Sequence, residues 1–170
     1  WCESSVWIFF FVFSSLLVLN AYIHHDSTYG RLANYLYGHS ASDILTELNE
    51  QEGLLVIDGI KIRILSKERN PKDIPWKDYG VKTVVDATGT FTDPTIEGSS
   101  EKGSLRGHLI AGASKVILSA PFKIKDKKSS MPEDAITIVK GINDSNYNPQ
   151  LHKVISGASC TTTCLSFMIK

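Results

Sequence analysis

The chain is 170 residues long, 42% of them hydrophobic, and its 18 Lys plus Arg are balanced by 18 Asp plus Glu. That length suffices for one core of ordinary size, and the neutral balance gives no basis for electrostatic capture of nucleic acid. The three cysteines, Cys2, Cys160 and Cys164, form an odd and poorly spaced set, which argues against a disulfide framework and suits a reducing compartment.

From Val6 to Leu19 only Ser14 and Ser15 interrupt a run of Val, Trp, Ile, Phe and Leu. The run is shorter than the roughly 20 residues of a membrane-spanning helix. It has the length of a secretory apolar region, but lacks the basic segment before and the small-x-small site after it. Residues 1–21 are therefore expected to be non-native sequence joined to a soluble domain, with a membrane anchor or a signal segment as the alternatives. A first residue Trp1, and a last residue Lys170 inside an apolar-periodic run, fit an incomplete chain.

Leu54-Leu55-Val56-Ile57, Asp58-Gly59 and the run Ile60 to Leu65 predict a β-hairpin with a two-residue type I′ turn, because Gly accepts positive φ. Ile60, Ile62 and Ile64 alternate with Lys61 and Arg63, which predicts one buried and one wetted face. Pro71 and Pro75 punctuate the loop that follows. Thr83 to Asp86 is the next predicted strand, ending in Ala87-Thr88-Gly89. A weakly helical stretch follows, with Asp93 and Pro94 as entry residues, weakened by Gly98, Gly103 and Gly107.

Lys115 to Ser119 is another strand, closed by Ala120-Pro121, and Lys123, Lys125, Lys127 and Lys128 then mark a solvated basic loop. Ala135 to Val139 and Val154-Ile155 supply two more strands. After Ser156-Gly157 the period turns helical, through Cys160, Cys164, Leu165, Met168 and Ile169. Short strands alternating with loops and helices predict an α/β sheet with mainly parallel pairing.

In such sheets ligands bind beyond the carboxyl ends of the strands. Three polar segments are expected there: Thr88-Gly89, Ser119-Ala120-Pro121 and Ser159-Cys160-Thr161. Cys160 follows a strand and opens a helix, where amide groups and the positive end of the dipole favour a thiolate. It is the candidate nucleophile. The hydroxyls of Ser159, Thr161 and Thr162 flank it, and a helix N-terminus binds phosphate readily. A thiolate beside a phosphate pocket suits an aldehyde that carries a phosphate. The competing reading is a buried structural cysteine.

Cys164, one turn further on, is expected to be a small core residue. With Cys160 it lacks two further ligands for zinc, so no metal site is expected. Among His24, His25, His39, His108 and His152 none has the context of a base, and His108 and His152 are expected at the surface.

Ala158-Ser159-Cys160-Thr161-Thr162, followed by Cys164, resembles the active-site signature of glyceraldehyde-3-phosphate dehydrogenases. Upstream segments agree in order and rough spacing. Asp26-Ser27-Thr28-Tyr29-Gly30-Arg31 is similar to the family's Asp-Ser-Thr-His-Gly segment. The Asp58-Gly59 hairpin, Glu68-Arg69-Asn70-Pro71 with Trp76, Ala87-Thr88-Gly89-Thr90-Phe91, Ser119-Ala120-Pro121 and Gly141-Ile142-Asn143 also have counterparts. The resemblance covers roughly residues 22 to 170.

The resemblance implies an NAD-dependent, phosphorylating aldehyde dehydrogenase of glycolysis, cytoplasmic and homotetrameric as a whole enzyme. Cys160 would form a thiohemiacetal with the aldehyde and then a thioester, which inorganic phosphate would release as an acyl phosphate. Ser159 and Thr161 would help hold substrate or phosphate, with the Cys160 amide in the oxyanion site. Arg69 would lie near the adenine end of NAD, and Thr88, Gly89, Phe91 and Ser119 would line its cleft.

The implied fold is an incomplete Rossmann-type doubly wound sheet with an antiparallel hairpin. Residues 22–158 form a partial NAD-binding domain, and 159–170 the start of a truncated catalytic domain. The family's opening strand, Asn-Gly-Phe-Gly-Arg-Ile-Gly turn and helix have no counterpart, so the first β-α unit is expected to be missing. The acidic residue for the adenosine ribose is missing as well, and Gly157 and Thr163 stand where the signature commonly has asparagine. The catalytic histidine would lie outside this chain. The 170-residue chain is thus expected to be an inactive piece of the dehydrogenase. A paralogue acting on erythrose 4-phosphate and a membrane-tethered, non-catalytic derivative are the rival readings.

Overall fold

The computed structural model describes residues 21, 23–28, 30–39, 42–65, 67–126, 128–157 and 159–169. The apolar run, and with it the expected absence of a first β-α unit, lies outside the described residues. Among those residues no helix is long and apolar enough to cross a membrane. The chain divides into two compact units, one ending at Lys67 and one beginning at Glu68.

The first unit holds a short helix, α1 (Leu32–Tyr37), and an antiparallel sheet of β1 (Leu45–Asn49), β2 (Leu54–Ile57) and β3 (Ile60–Arg63). Asp58 and Gly59 between β2 and β3 have φ of 52° and 75°. Positive φ at both turn positions is the type I′ signature read from the sequence. The predicted face is realised only in part. Ile62 is buried, whereas Ile60, beside the turn, is 44% exposed. β1 was not evident in the sequence. Leu45–Asn49 has little β-branched content, and its pairing with β2 completes the backbone hydrogen bonds that its side chains do not advertise.

The second unit is built on a four-stranded parallel sheet of β4 (Thr83–Asp86), β5 (Lys115–Leu118), β6 (Ala135–Thr137) and β7 (Val154–Ser156), in the order β4-β5-β7-β6. Leu105, Val116, Leu118, Ala135 and Val154 form its buried cluster, with Phe91, Leu109, Ala120 and Phe122 packed against it. Full burial of each large aliphatic side chain stabilises the unit by about 1.5–3 kcal/mol. β7 is buried along its whole length, which suits its short apolar run, whereas in β4 and β5 the buried residues alternate with more exposed ones.

The stretch after Pro94 is helical only over α2 (Gly107–Ile110). Gly103 has φ 79° and a Cβ there would stand 2.7 Å from the Phe91 ring, so the chain turns where a continuous helix would run on. Gly107 packs onto the turn at Pro71, where a Cβ would meet the Lys72 amide nitrogen at 2.9 Å. A last helix, α3 (Cys160–Ile169), closes the described chain.

Candidate functional site

β4, β5 and β7 are parallel and adjacent, so their carboxyl ends share one edge of the sheet. Thr88-Gly89 follows β4, Ser119 follows β5, and the segment leading to Cys160 follows β7. The three turns are also tied to one another. The Ser119 amide donates to the Asp86 carbonyl (2.9 Å), and the Gly157 amide donates to the Leu118 carbonyl (3.2 Å). The Ser156 hydroxyl donates to the Ala120 carbonyl at 2.8 Å. The convergence expected from three separate strand endings is thus a property of the sheet's register.

The β4 turn is held from within. Asp86 is 2% exposed, and its Oδ1 accepts from the Thr88 amide at 2.9 Å and the Thr88 hydroxyl at 2.7 Å. The Thr88 hydroxyl oxygen in turn accepts from the Thr90 amide at 3.1 Å. Burial by itself pushes the Asp86 carboxyl pKa up. The His108 ring facing it, together with the Thr88 hydroxyl and amide, outweighs that push and holds the pKa below the ordinary carboxylate value. Gly89 has φ 69°, with open space where a Cβ would stand. Backbone conformation, not crowding, therefore selects glycine there, and the bare backbone is open to close approach by a ligand.

The β7 turn leads into α3. The Ser159 carbonyl accepts from the Thr163 amide at 2.8 Å, and its hydroxyl oxygen accepts from the Thr162 amide at 3.4 Å. Ser159 is thus the N-cap of α3, and Cys160 is its first residue. Cys160 is exposed and free, with its Sγ 3.7 Å from the Thr161 hydroxyl. That hydroxyl, and then the Thr161 and Cys160 backbone amides, hold the thiol pKa below its ordinary value.

The remaining expected residues lie elsewhere. Arg69 is exposed ahead of the short turn Pro71–Asp73. Phe91 is half-buried and packs its ring toward the core and Gly103.

Two expectations are corrected. Cys164 is not a core residue but exposed, because α3 buries none of its residues. His108 and His152 are not at the surface: they are 3% and 8% exposed. His108 is buried because Gly107 lets α2 approach the Pro71 turn closely, and because its Nδ1 accepts from the Trp76 indole at 3.0 Å. His152 is held by the Asn148 amide, which donates to its Nδ1 at 2.9 Å, and by stacking on Tyr147.

Sequence reasoning missed the Asp86 carboxylate. The Asp-x-Thr spacing at Asp86 and Thr88, which an Asx turn favours, was the signal available for it. Among the described residues no group of three or more metal-ligating side chains occurs.

A parallel sheet with polar, glycine-bearing turns gathered at the carboxyl ends of neighbouring strands defines part of a Rossmann-like α/β domain. Residues 13–94 match the family described as glyceraldehyde 3-phosphate dehydrogenase, NAD binding domain. The chain is 43% identical over 124 residues to glyceraldehyde-3-phosphate dehydrogenase of Streptomyces coelicolor, covering 73% of this chain and 32% of the relative. It is 39% identical over 144 residues to that of Geobacillus stearothermophilus (85% and 34%). To the glycosomal enzyme of Crithidia fasciculata it is 42% identical over 113 residues (66% and 27%). These similarities support a glyceraldehyde-3-phosphate dehydrogenase NAD-binding domain in this chain. The chain spans about a third of the length of the curated relatives it matches. The family match begins inside the apolar run, at residue 13.

Proposed function

We propose that this chain supplies the NAD-lining turns and the nucleophile of a phosphorylating glyceraldehyde-3-phosphate dehydrogenase. The observation that carries the reading is the gathering of Thr88-Gly89, Ser119 and the β7 turn that leads to Cys160 at the end of three adjacent parallel strands. The residues present at this edge suit one side of a dinucleotide. The edge is exposed at Gly89 and Ser119, and Gly89 leaves its backbone bare. NAD, when bound, supplies the hydride acceptor.

The chain's own residues do the rest of the work assigned here. Cys160 Sγ, favoured as thiolate by the Thr161 hydroxyl and the start of α3, attacks the aldehyde carbon to give a thiohemiacetal. Oxidation of that adduct leaves a thioester on Cys160, and inorganic phosphate cleaves it to an acyl phosphate with the thiolate as leaving group. Ser159 and Thr161 supply hydroxyls, and the first amides of α3 supply N–H donors, for the substrate oxyanion or phosphate. Thr88, Gly89, Phe91 and Ser119 shape the cofactor side, and Arg69 lies toward the adenine end. In the cell the full-length enzyme is a cytoplasmic homotetramer on this reading.

The 170-residue chain by itself does not turn over. No histidine partners Cys160 among its described hydrogen bonds, and a nucleophile without its base retains little catalysis. Incubation of the purified chain with glyceraldehyde 3-phosphate, phosphate and NAD is expected to give no steady NADH production, and steady production overturns that statement. Titration of the isotope-labelled chain with NAD tests the cofactor role. The Thr88, Gly89 and Ser119 amide resonances are expected to move while those of the Asp58-Gly59 turn stay fixed; uniform or absent shifts overturn it.

A further inference from the structure

A buried chain of polar contacts runs from Trp76 to the β4 turn. The Trp76 indole is only a donor, and it donates to His108 Nδ1 at 3.0 Å. Nδ1 therefore carries a lone pair, and the ring's proton sits on Nε2. That nitrogen faces Asp86 Oδ2 at 3.5 Å, with both side chains almost wholly buried, at 4% and 0% exposure. The separation exceeds an ordinary hydrogen bond. Yet neither atom has any other hydrogen-bond partner among the described residues. Two sealed polar atoms with only each other to face make a contact that is costly to lose. The other oxygen of the same carboxylate holds the Thr88 amide and hydroxyl.

We propose that His108 is a positioning residue for the cofactor-lining turn. Through Asp86 it fixes the carboxylate rotamer that holds Thr88 and sets up the left-handed Gly89 beside it. Trp76 sets the tautomer, His108 points its Nε2 proton at Oδ2, and Asp86 cannot rotate without stranding that proton in the interior. This assignment rests on the reading of Thr88-Gly89 as cofactor-lining. The NAD titration tests that reading, and the experiment below tests the relay without any cofactor, so either can fail alone.

The test is hydrogen exchange of the Thr88 amide in the full chain, referred to the Val116 amide, which donates to Lys153 within the sheet and reports general opening. His108→Phe keeps a ring but removes donor and acceptor. It is expected to speed Thr88 exchange relative to Val116 by about tenfold, the equivalent of one buried hydrogen-bonded contact. His108→Gln carries an acceptor and a donor on one planar amide, and is expected to restore the ratio to within about threefold of the parent chain. Equal ratios in both variants, or equal acceleration of Thr88 and Val116 without rescue, overturn the proposal. Nitrogen-15 spectra of the unmutated chain need no variant to fold. Nδ1 unprotonated with Nε2 protonated is the expected pattern, and the opposite tautomer or a doubly protonated ring overturns it.

Discussion

Two turns at the same sheet edge are held in opposite ways. The β4 turn hangs on a buried carboxylate, a buried histidine and a buried indole. The β7 turn runs into a helix that buries nothing and whose first residue, Cys160, meets solvent. One is preorganised by the interior of the second unit; the other is tied to the β5 turn at Ser156 and Gly157, and from Ser159 onward it is held by its own cap and by Thr161 beside Cys160. The geometry of the proposed cofactor-lining turn is therefore coupled to the packing of the second unit, while the proposed nucleophile stands on an exposed helix.

The sharpest way to break that contrast is Trp76→Ala. It removes a fully buried ring and leaves His108 Nδ1 without its donor. Unfolding in urea is expected to show a loss of about 3–5 kcal/mol from the second unit. Next comes Asp86→Asn. Its amide nitrogen meets the His108 Nε2 proton donor to donor, and a loss of about 1–3 kcal/mol is expected in the same measurement.

The same variant sharpens the pH dependence. The folded pKa of Asp86 lies below its ordinary value, as do those of Asp93 and Asp134. Such groups contribute stability that is complete above the unfolded carboxylate pKa and is lost as pH falls through the lower folded value. Acid titration of stability is therefore expected to be steep below about pH 4 and shallower in Asp86→Asn; an unchanged slope contradicts the assignment.

Arg106→Ala probes a half-buried pair away from the edge. Its guanidinium donates to both Asp134 oxygens, at 2.9 and 2.5 Å, and to the Pro94 carbonyl. A loss of about 1–2 kcal/mol is expected. Ser159→Ala lies at the other end of the contrast. It is expected to cost about 1 kcal/mol, confined to α3 and read as faster exchange of the Thr162 and Thr163 amides with the sheet amides unchanged.

Much of the parallel sheet was legible because its strands are short apolar runs closed by Gly or Pro: Thr83 to Asp86, Lys115 to Leu118 and Val154-Ile155 each stand out. The Asp58-Gly59 turn was legible for a stereochemical reason, since few residue pairs accept two positive φ angles. The strand-to-helix junction at Cys160 was legible because the apolar period changes after Ser156-Gly157.

What stayed hidden was tertiary. Nothing local distinguishes His108 in a glycine-rich stretch from a surface histidine. Its burial depends on Gly107 meeting Pro71 and on Trp76, 32 residues away. Cys164 misled in the other direction, since helical spacing with apolar residues implies a core that α3 does not have among the described residues. β1 was hidden because its pairing partner, not its own side chains, makes it a strand.

The most direct test of the account compares the two cysteines of α3. Both are free and exposed, on one helix, one turn apart; only Cys160 has the helix start and the Thr161 hydroxyl beside it. Limited alkylation of the chain with iodoacetamide, read by mass spectrometry at several pH values, is expected to label Cys160 faster than Cys164. That advantage should grow as pH falls below the ordinary thiol range, and should shrink in Thr161→Val. Equal labelling of the two cysteines at every pH would contradict the claim that this turn makes a nucleophile.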